Sequence, residues 1–207
     1  MADFNVFVVD DDPAARESVA ALVGSHDLAA QTFASAAEFL AAYEPRQPGC
    51  LVVDVRMTGM TGLELQQELT ARGYTIPVIV ITGFADVPTA VRAMRAGAVT
   101  FLEKPCSDKE LWASIETALQ WESRAMRQRT QREEILARRA TLTPAEVLVL
   151  GRLLAGHANK TIAAELDLGL RTVELRRATI MKKMEANSLA ELVRMILSIE
   201  NPPEPSA

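Results

Sequence analysis

Several side chains that can take part in chemistry stand directly after short apolar runs in the first half of the chain. They are Asp10, Asp11, Asp12, Asp54, Thr82 and Lys104. In a parallel α/β sheet, ligands bind beyond the carboxyl ends of the strands, so residues that follow the strands meet at one edge. We therefore expect carboxylates, a hydroxyl and an ammonium group to lie together at that edge.

This combination of groups suits the transfer of a phosphoryl group. Several carboxylates in one pocket repel one another, and an oxygen-lined pocket suits Mg²⁺, which prefers octahedral coordination by oxygen at about 2.0–2.1 Å. A carboxylate would act as the nucleophile, while Mg²⁺ and Lys104 would neutralise charge on the phosphoryl oxygens. Helix capping could explain one or two of the acidic residues, but it does not explain the whole set.

The elements that must position these groups follow from hydrophobic periodicity. Short runs rich in Val and Ile are typical of buried parallel strands. They occur at residues 4–9, 29–33, 51–53, 78–81 and 100–102. Amphipathic stretches predict helices at 13–23, 36–43, 63–71 and 89–96, with a fifth from about Ser107. Strands that alternate with helices in this way predict a doubly wound, five-stranded parallel sheet.

Length and composition fit two modules with different partners. The chain has 207 residues, of which 49% are hydrophobic, and this is enough for two cores. Residues 1–124 carry 17 acidic and 9 basic side chains, whereas residues 138–207 carry 8 acidic and 10 basic ones, so only the second half suits nucleic acid. The apolar stretch near the N-terminus is too short for a signal peptide or a membrane span, and we expect a cytoplasmic protein without a membrane partner.

The segment between the modules has an ambiguous pattern. Residues 127–134 contain no apolar residue, so this stretch is either a solvated helix or a linker. Four residues on its flanks could form a short dimer seam, and a polar connector is the alternative. They are Ala125, Met126, Ile135 and Leu136.

The last part of the chain has an all-helical pattern. Thr143 begins a capping box. Further helices are predicted at 159–166, 170–184 and 189–199, and Pro202, Pro203 and Pro205 mark a frayed tail. Asn159 is expected to cap the first of these three helices.

The predicted helix at 170–184 has two different faces. Val173, Ile180 and Met184 are spaced so that they pack inward. The other face carries Thr172, Glu174, Leu175, Arg176, Arg177, Thr179, Lys182 and Lys183. A polar, basic face of this kind fits a recognition helix in the major groove, although a charged face is also typical of a solvated helix.

Four stretches of the first half form an ordered set of motifs. They are VVDDDP (8–13), LVVDVRMTGMTGLEL (51–65), PVIVITGFAD (77–86) and AVTFLEKPCS (98–107). Together they resemble the receiver domain of two-component response regulators, and the resemblance covers nearly all of residues 3–121. It implies a flavodoxin-like fold and a phosphoprotein that is controlled by a sensor histidine kinase.

The resemblance also implies a role for each residue at the sheet edge. Asp54 would accept the phosphoryl group from a phosphohistidine, Thr82 and Lys104 would hold the phosphoryl oxygens, and Phe101 would be the aromatic switch. The peptide bond from Lys104 to Pro105 would be cis. The implied Mg²⁺ ligands are Asp10 through water, Asp11, Asp54 and the carbonyl of Arg56.

Two residues near the site depart from the family pattern, and two other functions must be compared with this interpretation. Thr58 and Cys106 replace a usual proline and a usual aromatic residue, which affects loop rigidity more than chemistry. A haloacid-dehalogenase phosphatase would need a second Asp two residues after its nucleophile, where this chain has Arg56. A pseudo-receiver that works without phosphate would not need the complete site. We therefore predict a regulator and not an enzyme.

Phe84 stands two residues after Thr82, in the loop expected to cover an acyl phosphate. A large apolar ring there cannot orient a hydrolytic water, so it is predicted to prolong the phosphorylated state. Arg56 would lie on the other side of the path by which this water reaches the phosphorus atom. The alternative is that Phe84 only packs on its loop or belongs to a partner surface.

The stretch LTPAEVLVLGRLLAGHANKTIAAELDLGLRTVELRRATIMKKMEANSLAELVR (142–194) resembles the LuxR-type helix-turn-helix of the NarL/FixJ regulators. The resemblance implies that Glu174, Leu175 and Ala178 face base edges and that Arg176 strengthens the contact with the DNA backbone. Phosphate contacts are implied for Lys160, Arg171, Thr172, Arg177 and Lys182. Gly169 departs from the Ser or Thr that usually caps the recognition helix.

Together the two resemblances predict three segments: a receiver domain at 1–121, a helical linker at 122–137 and a DNA-binding domain at 138–203. They imply a transcription regulator that dimerises when it is phosphorylated. Its partners would be double-stranded promoter DNA and RNA polymerase, and its last helix would contact the second protomer on DNA.

Overall fold

The computed structural model describes residues 4–200. Contacts within the chain divide it into two compact units, and the division falls between Met126 and Arg127. The domain boundaries at 121 and 137 remain predictions. The tail predicted at Pro202, Pro203 and Pro205 lies outside the described residues.

The first unit contains a sheet whose strands alternate with helices. Its elements are β1 (Asn5–Val9), α1 (Pro13–Ser25), β2 (Ala29–Phe33), α2 (Ala36–Ala42), β3 (Gly49–Asp54), α3 (Gly62–Ala71), β4 (Val78–Thr82), α4 (Val87–Arg95), β5 (Ala98–Glu103) and the start of α5 (Asp108–Ala140). The strand order is β2-β1-β3-β4-β5, and all neighbouring strands are parallel. The predicted doubly wound, five-stranded sheet is therefore confirmed, and its order reverses between β1 and β3.

Alternate side chains of the central strands pack on opposite faces of the sheet. On one face, Phe7 and Val53 join a cluster with side chains of α2, α3 and α4. On the other face, Val8 and Val52 join side chains of α1 and α5. None of these four residues is more than 2% exposed. Burial on both faces explains why the strands read as nearly continuous apolar runs.

Most element boundaries differ from the sequence prediction by one or two residues, and those of β3 and α4 differ for identifiable local reasons. β3 starts at Gly49 and includes Asp54, because its backbone pairs with β1 and β4 beyond the apolar residues. α4 begins at Val87, two residues earlier than predicted. The side chain of Asp86 caps this helix by accepting a hydrogen bond from the Thr89 N–H at 2.6 Å.

The second unit is helical in its described part. Its helices after α5 are α6 (Pro144–Leu154), α7 (Asn159–Glu165), α8 (Leu170–Met184) and α9 (Leu189–Glu200). Buried side chains of all four form one core, which Ile135 of α5 joins. Within residues 4–200, no helix is both long and apolar enough to cross a membrane.

The segment without apolar residues at 127–134 is part of α5 and is therefore helical. Ile135 is only 2% exposed, so it is not available to the dimer seam that its position suggested. Met126 and Leu136 are 37% and 41% exposed and remain on the surface. The difference arises because only Ile135 points into the core of the second unit.

The sequence predicted the residues that cap α6 and α7, and only the prediction for α6 is confirmed. Thr143 and Glu146 form the predicted capping box of α6. The prediction that Asn159 caps α7 is wrong, because Ala158 occupies the cap position and makes no side-chain hydrogen bond there. Asn159 is instead the first helical residue, and its Oδ1 accepts a hydrogen bond from Nη1 of Arg177 at 3.1 Å.

Gly62 marks a close approach between α3 and the end of β3. A Cβ atom at this position would lie 2.2 Å from the carbonyl oxygen of Asp54, which is far inside contact distance. We expect Gly62→Ala to displace the Asp54 backbone and to lower the free energy of unfolding of the first unit by about 1–3 kcal/mol, as overpacking typically does. Chemical denaturation of the full chain measures this change.

Gly24→Ala is the matched control for this substitution. A Cβ atom at Gly24 in α1 meets no atom within 4 Å. Because Ala is favoured over Gly inside a helix, we expect the first unit to become more stable, by up to about 1 kcal/mol. Equal effects of the two substitutions would show that the close approach at Gly62 does not constrain the fold.

Candidate acidic site and nucleic-acid interface

Three charged side chains meet at the carboxyl edge of the sheet. Lys104, which follows β5, donates hydrogen bonds from Nζ to Oδ2 of Asp10 at 2.6 Å and to Oδ1 of Asp54 at 2.9 Å. Asp10 and Asp54 are buried, and they stand at the ends of the neighbouring strands β1 and β3. The strand order thus joins residues that lie 94 and 50 positions from Lys104 in the sequence.

Burial and ion pairing oppose each other in this cluster. Burial raises the pKa of Asp54, and the hydrogen bond from Lys104 offsets only part of this effect. Burial also disfavours the charged form of Lys104, but its hydrogen bonds to Asp10 and Asp54 outweigh burial and raise the pKa of the ammonium group. Lys104 therefore stays positively charged at neutral pH.

The carboxylate of Asp54 is held on both of its oxygens. Oδ2 accepts a hydrogen bond from the backbone N–H of Arg56 at 2.5 Å, while Oδ1 accepts the one from Lys104. A carboxylate fixed in this way is pre-oriented, and a cation already stands where negative charge would develop next to it. These are the requirements of a carboxylate nucleophile that attacks an anionic group.

The other two acidic residues after β1 make different contacts. Asp12 caps α1 by accepting a hydrogen bond from the Ala14 N–H at 3.0 Å. Oδ2 of Asp11 accepts hydrogen bonds from the N–H and from the Oγ1 of Thr58, both at 2.9 Å. These two bonds lower the pKa of Asp11. Thr58, which the sequence suggested only as a change in loop rigidity, connects Asp11 to the loop after β3.

The oxygen atoms of this region suit a hard cation. Among residues 4–200, no group of three or more His, Cys, Asp or Glu side chains is arranged to hold a metal ion. Asp11 is bonded to Thr58, while Asp10 and Asp54 contact Lys104. All of the predicted ligands are nevertheless oxygen donors of the kind that Mg²⁺ prefers, and the exposed Asp11 can rotate away from Thr58. The Mg²⁺ ligand set remains a prediction that fits these residues.

Thr82 and Phe101 lie on the two strands that follow β3, namely β4 and β5. Thr82 is completely buried at the end of β4, and its Oγ1 accepts a hydrogen bond from the Phe84 N–H at 3.3 Å. The hydroxyl hydrogen of Thr82 is therefore still available as a donor. Phe101 is half-buried on β5 and packs against the cluster that includes α2, α3 and α4. The peptide bond between Lys104 and Pro105 is cis, as expected.

Arg56 and Phe84 are in direct contact. The guanidinium carbon of Arg56 lies 3.9 Å from the centroid of the Phe84 ring, within the range of a cation–π interaction. The contact joins the loop after β3 to the loop after β4. The sequence analysis predicted that both residues lie beside the path of a hydrolytic water. It did not predict their contact, because the contact depends on side-chain conformations in two separate loops.

The helices α7 and α8 form the predicted helix-turn-helix. Val173, Ile180 and Met184 are buried, as their spacing predicted. The exposed residues among the predicted DNA contacts are Lys160, Arg171, Thr172, Glu174, Leu175, Ala178 and Lys182. Arg176 and Arg177 are half-buried. The assignment of individual residues to bases or phosphates remains a prediction.

Four cations of these helices are free of internal partners. Within the described part of the chain, their side chains make no hydrogen bond or ion pair with another residue. They are Lys160, Arg171, Arg176 and Lys182. The guanidinium group of Arg177 differs, since it donates to Asn159 of α7.

The prediction that Lys183 belongs to the outer face of α8 is wrong. Its Nζ donates hydrogen bonds to Oε2 of Glu146 at 2.7 Å and to the carbonyl oxygen of Thr141 at 3.0 Å. The bond from Lys183 is the main cause that lowers the pKa of Glu146. The position of Lys183 in the sequence could have indicated this contact, because Lys183 is three residues after the buried Ile180 and therefore lies close to the buried face of α8.

Comparison with known proteins gives two family matches. Residues 6–116 match the family described as the response regulator receiver domain. Residues 140–196 match the family described as bacterial regulatory proteins, luxR family. The first match contains the acidic site, and the second contains α6, α7 and α8.

Full-length relatives and solved structures agree with these matches. The chain is 50% identical over 192 residues to the transcriptional regulatory protein FixJ of Azorhizobium caulinodans, covering 93% of this chain and 91% of that protein. The structure of the response regulator StyR matches with a TM-score of 0.85 at 42% identity, covering 94% of this chain and 98% of that one. The crystal structure of FixJ-N matches with a TM-score of 0.54 at 45% identity, covering 58% of this chain and 96% of that one.

Proposed function

Because the chain belongs to the NarL/FixJ-type response regulators, with a receiver domain and a LuxR-type DNA-binding domain, we propose that Asp54 is its phosphoacceptor. The family consists of transcriptional regulators and not of enzymes. A sensor histidine kinase would supply the phosphoryl group, and the phosphorylated protein would bind promoter DNA as a dimer. The observation that carries the proposal is the Lys104 ammonium group between Asp10 and Asp54.

The proposed transfer involves Asp54, Lys104 and Thr82 of this chain and a phosphohistidine of the kinase. An oxygen of the Asp54 carboxylate attacks phosphorus, an O–P bond forms, and the N–P bond of the phosphohistidine breaks. The imidazole nitrogen keeps the electron pair and takes up a proton. Lys104, 2.9 Å from Oδ1 of Asp54, compensates the added negative charge. Thr82 would donate its free hydroxyl hydrogen to a phosphoryl oxygen.

Mg²⁺ would supply further charge neutralisation at the phosphoryl oxygens. Its proposed ligands are Asp10 through water, Asp11, Asp54 and the carbonyl of Arg56. Asp10 and Asp54 are buried beside a cation, so they are already held in place by Lys104. Asp11 would exchange its hydrogen bonds to Thr58 for the metal.

The surface of α4 supports the proposed dimer. Val87, Val91 and Met94 share one face of the helix, and they are 77%, 42% and 46% exposed. Phe84, just before the helix, is 64% exposed. Exposed apolar side chains on one helix face are costly to leave in water, and a second copy of the receiver is the occupant that we propose for this face. Thr82 and Phe101 would couple this face to the phosphoryl group.

The exposed side of α8 supports the proposed contact with DNA. The free cations suit phosphates, while Glu174, Leu175 and Ala178 offer the side chains that would meet base edges. In the cytoplasm, the dimer would regulate transcription together with RNA polymerase. A pair of half-sites in the promoter would match the two protomers.

Phosphorylation should require Asp54. We expect Asp54→Asn to gain no phosphoryl mass when the full chain is incubated with acetyl phosphate and Mg²⁺, because the amide is not a nucleophile under these conditions. Asp12→Asn is the matched control, because Asp12 caps α1 and Asn also caps helices well. Intact mass spectrometry gives the result, and full labelling of Asp54→Asn would remove the central claim.

Dimerisation should depend on the apolar face of α4. We expect phosphorylated wild-type protein to sediment as a dimer and phosphorylated Val91→Glu as a monomer with weaker DNA binding, because the new carboxylate would be buried without a partner. Val147→Glu on α6 is the control, since Val147 is 42% exposed, as is Val91. A wild-type protein that stays monomeric with and without phosphate would contradict the proposal.

The lifetime of the phosphorylated state should depend on Phe84. The ring and the Arg56 guanidinium restrict the approach of a water molecule that hydrolysis requires. After removal of the phosphodonor at constant Mg²⁺, we expect phospho-Asp54 to decay faster in Phe84→His and Phe84→Glu than in wild type, with an intermediate rate for Phe84→Ala. The same decay rate in all four proteins would leave Phe84 without a role in the lifetime.

A further inference from the structure

Lys183 is the one basic residue of α8 that is tied to a buried carboxylate. It is next in sequence to Lys182, yet the two side chains have different surroundings. Lys182 is exposed, whereas the side chain of Lys183 is 30% exposed and contacts a glutamate side chain that is 10% exposed. Adjacent residues of a helix point about 100° apart, so only one of the two can belong to the centre of the outer face.

Glu146 serves two elements with one oxygen atom. Its Oε2 accepts a hydrogen bond from the backbone N–H of Thr143 at 2.7 Å, which closes the capping box at the start of α6. The same oxygen accepts the hydrogen bond from Nζ of Lys183 at 2.7 Å. The first turn of α6 and the last turn of α8 are therefore joined through one carboxylate.

Two further contacts strengthen this connection. Nζ of Lys183 also donates to the carbonyl oxygen of Thr141, in the segment that leads into α6. Ile180 and Met184, which flank Lys183 on α8, are completely buried in the core of the second unit. A large rotation of α8 about its axis would break the hydrogen bonds from Lys183 to Glu146 and Thr141, and it would also move Ile180 and Met184 out of the core.

We infer that Lys183 and Glu146 are positioning residues for DNA recognition: they fix the orientation of α8, and Lys183 does not itself contact a phosphate. The inference rests on the proposed DNA binding. It divides two adjacent lysines into different roles. Lys182 neutralises a phosphate, whereas Lys183 sets the angle at which Glu174, Leu175 and Ala178 meet the bases.

The test uses two short DNA duplexes and the full-length phosphorylated protein. One duplex is selected from a random library by the wild-type protein, and the other has the selected site scrambled. The affinity for each duplex is measured over a range of salt concentrations. Each variant is first shown by circular dichroism to be folded at the assay temperature.

The two lysines should respond differently. We expect Lys182→Met to weaken both duplexes alike and to reduce the slope of log affinity against log salt by roughly 0.9, because one phosphate contact is lost. Lys183→Met should leave the slope unchanged. It should weaken the selected duplex about 5- to 150-fold more than the scrambled one, which is the range for a lost base contact.

Glu146→Gln separates positioning from simple electrostatics by the sign of its effect. Removal of a negative charge near DNA would by itself strengthen binding. The positioning role predicts the opposite, namely weaker binding to the selected duplex, although the amide oxygen of Gln can still accept from the Thr143 N–H. The double variant with Lys183→Met should lose little more than either single variant, and Lys183→Arg should retain most of the discrimination.

Either of two results would overturn the inference. One is a loss of slope in Lys183→Met equal to that in Lys182→Met, with both duplexes weakened alike. The other is unchanged or stronger binding by Glu146→Gln, and this variant decides the matter if Lys183→Met does not fold. A wild-type protein that selects no duplex would instead contradict the proposed DNA binding itself.

Discussion

An ammonium group between two buried carboxylates is the interaction on which the carboxyl edge of the sheet depends. Without Lys104, the buried carboxylates of Asp10 and Asp54 would lose the ammonium group that both of them contact, and the pKa of Asp54 would rise further above its usual value. The strand order makes the arrangement possible, because β1 and β3 are neighbours and β5 ends on the same edge. The same cation thus stabilises the folded edge and stands where a phosphoryl group would bring more negative charge.

The second unit uses the same physical device for a different purpose. Lys183 neutralises the poorly solvated Glu146, as Lys104 neutralises Asp54. At the sheet edge, Asp54 is bonded to Lys104 and to the backbone N–H of Arg56, and it caps no helix. In the helical unit, the carboxylate is occupied by a helix cap and by a cation, so it holds two helices together.

Periodicity and topology explain how much of this could be predicted from the sequence. Apolar runs located all five strands, and the rule for parallel sheets brought Asp10, Asp54 and Lys104 to one edge before any distance was known. The sequence did not predict which contact each of the three consecutive aspartates makes. Asp10 pairs with Lys104, Asp11 bonds to the loop after β3, and Asp12 caps α1. Such choices are made by hydrogen bonds that differ little in energy and depend on the local backbone. Lys183 was misassigned for a related reason, since a residue at the border of two helix faces can join either.

The internal pairing of cations changes how the charge of the chain acts at a distance. The net charge of −5 would repel DNA when the molecules are far apart. At physiological ionic strength, however, charges are screened over roughly 8 Å, so an approaching duplex senses a local patch and not the total. The free cations Lys160, Arg171, Arg176 and Lys182 are concentrated on two helices. We therefore expect association with DNA to depend on orientation. Most collisions should be repulsive, whereas those in which α7 and α8 meet the duplex first should be attractive and last long enough for base contacts to form.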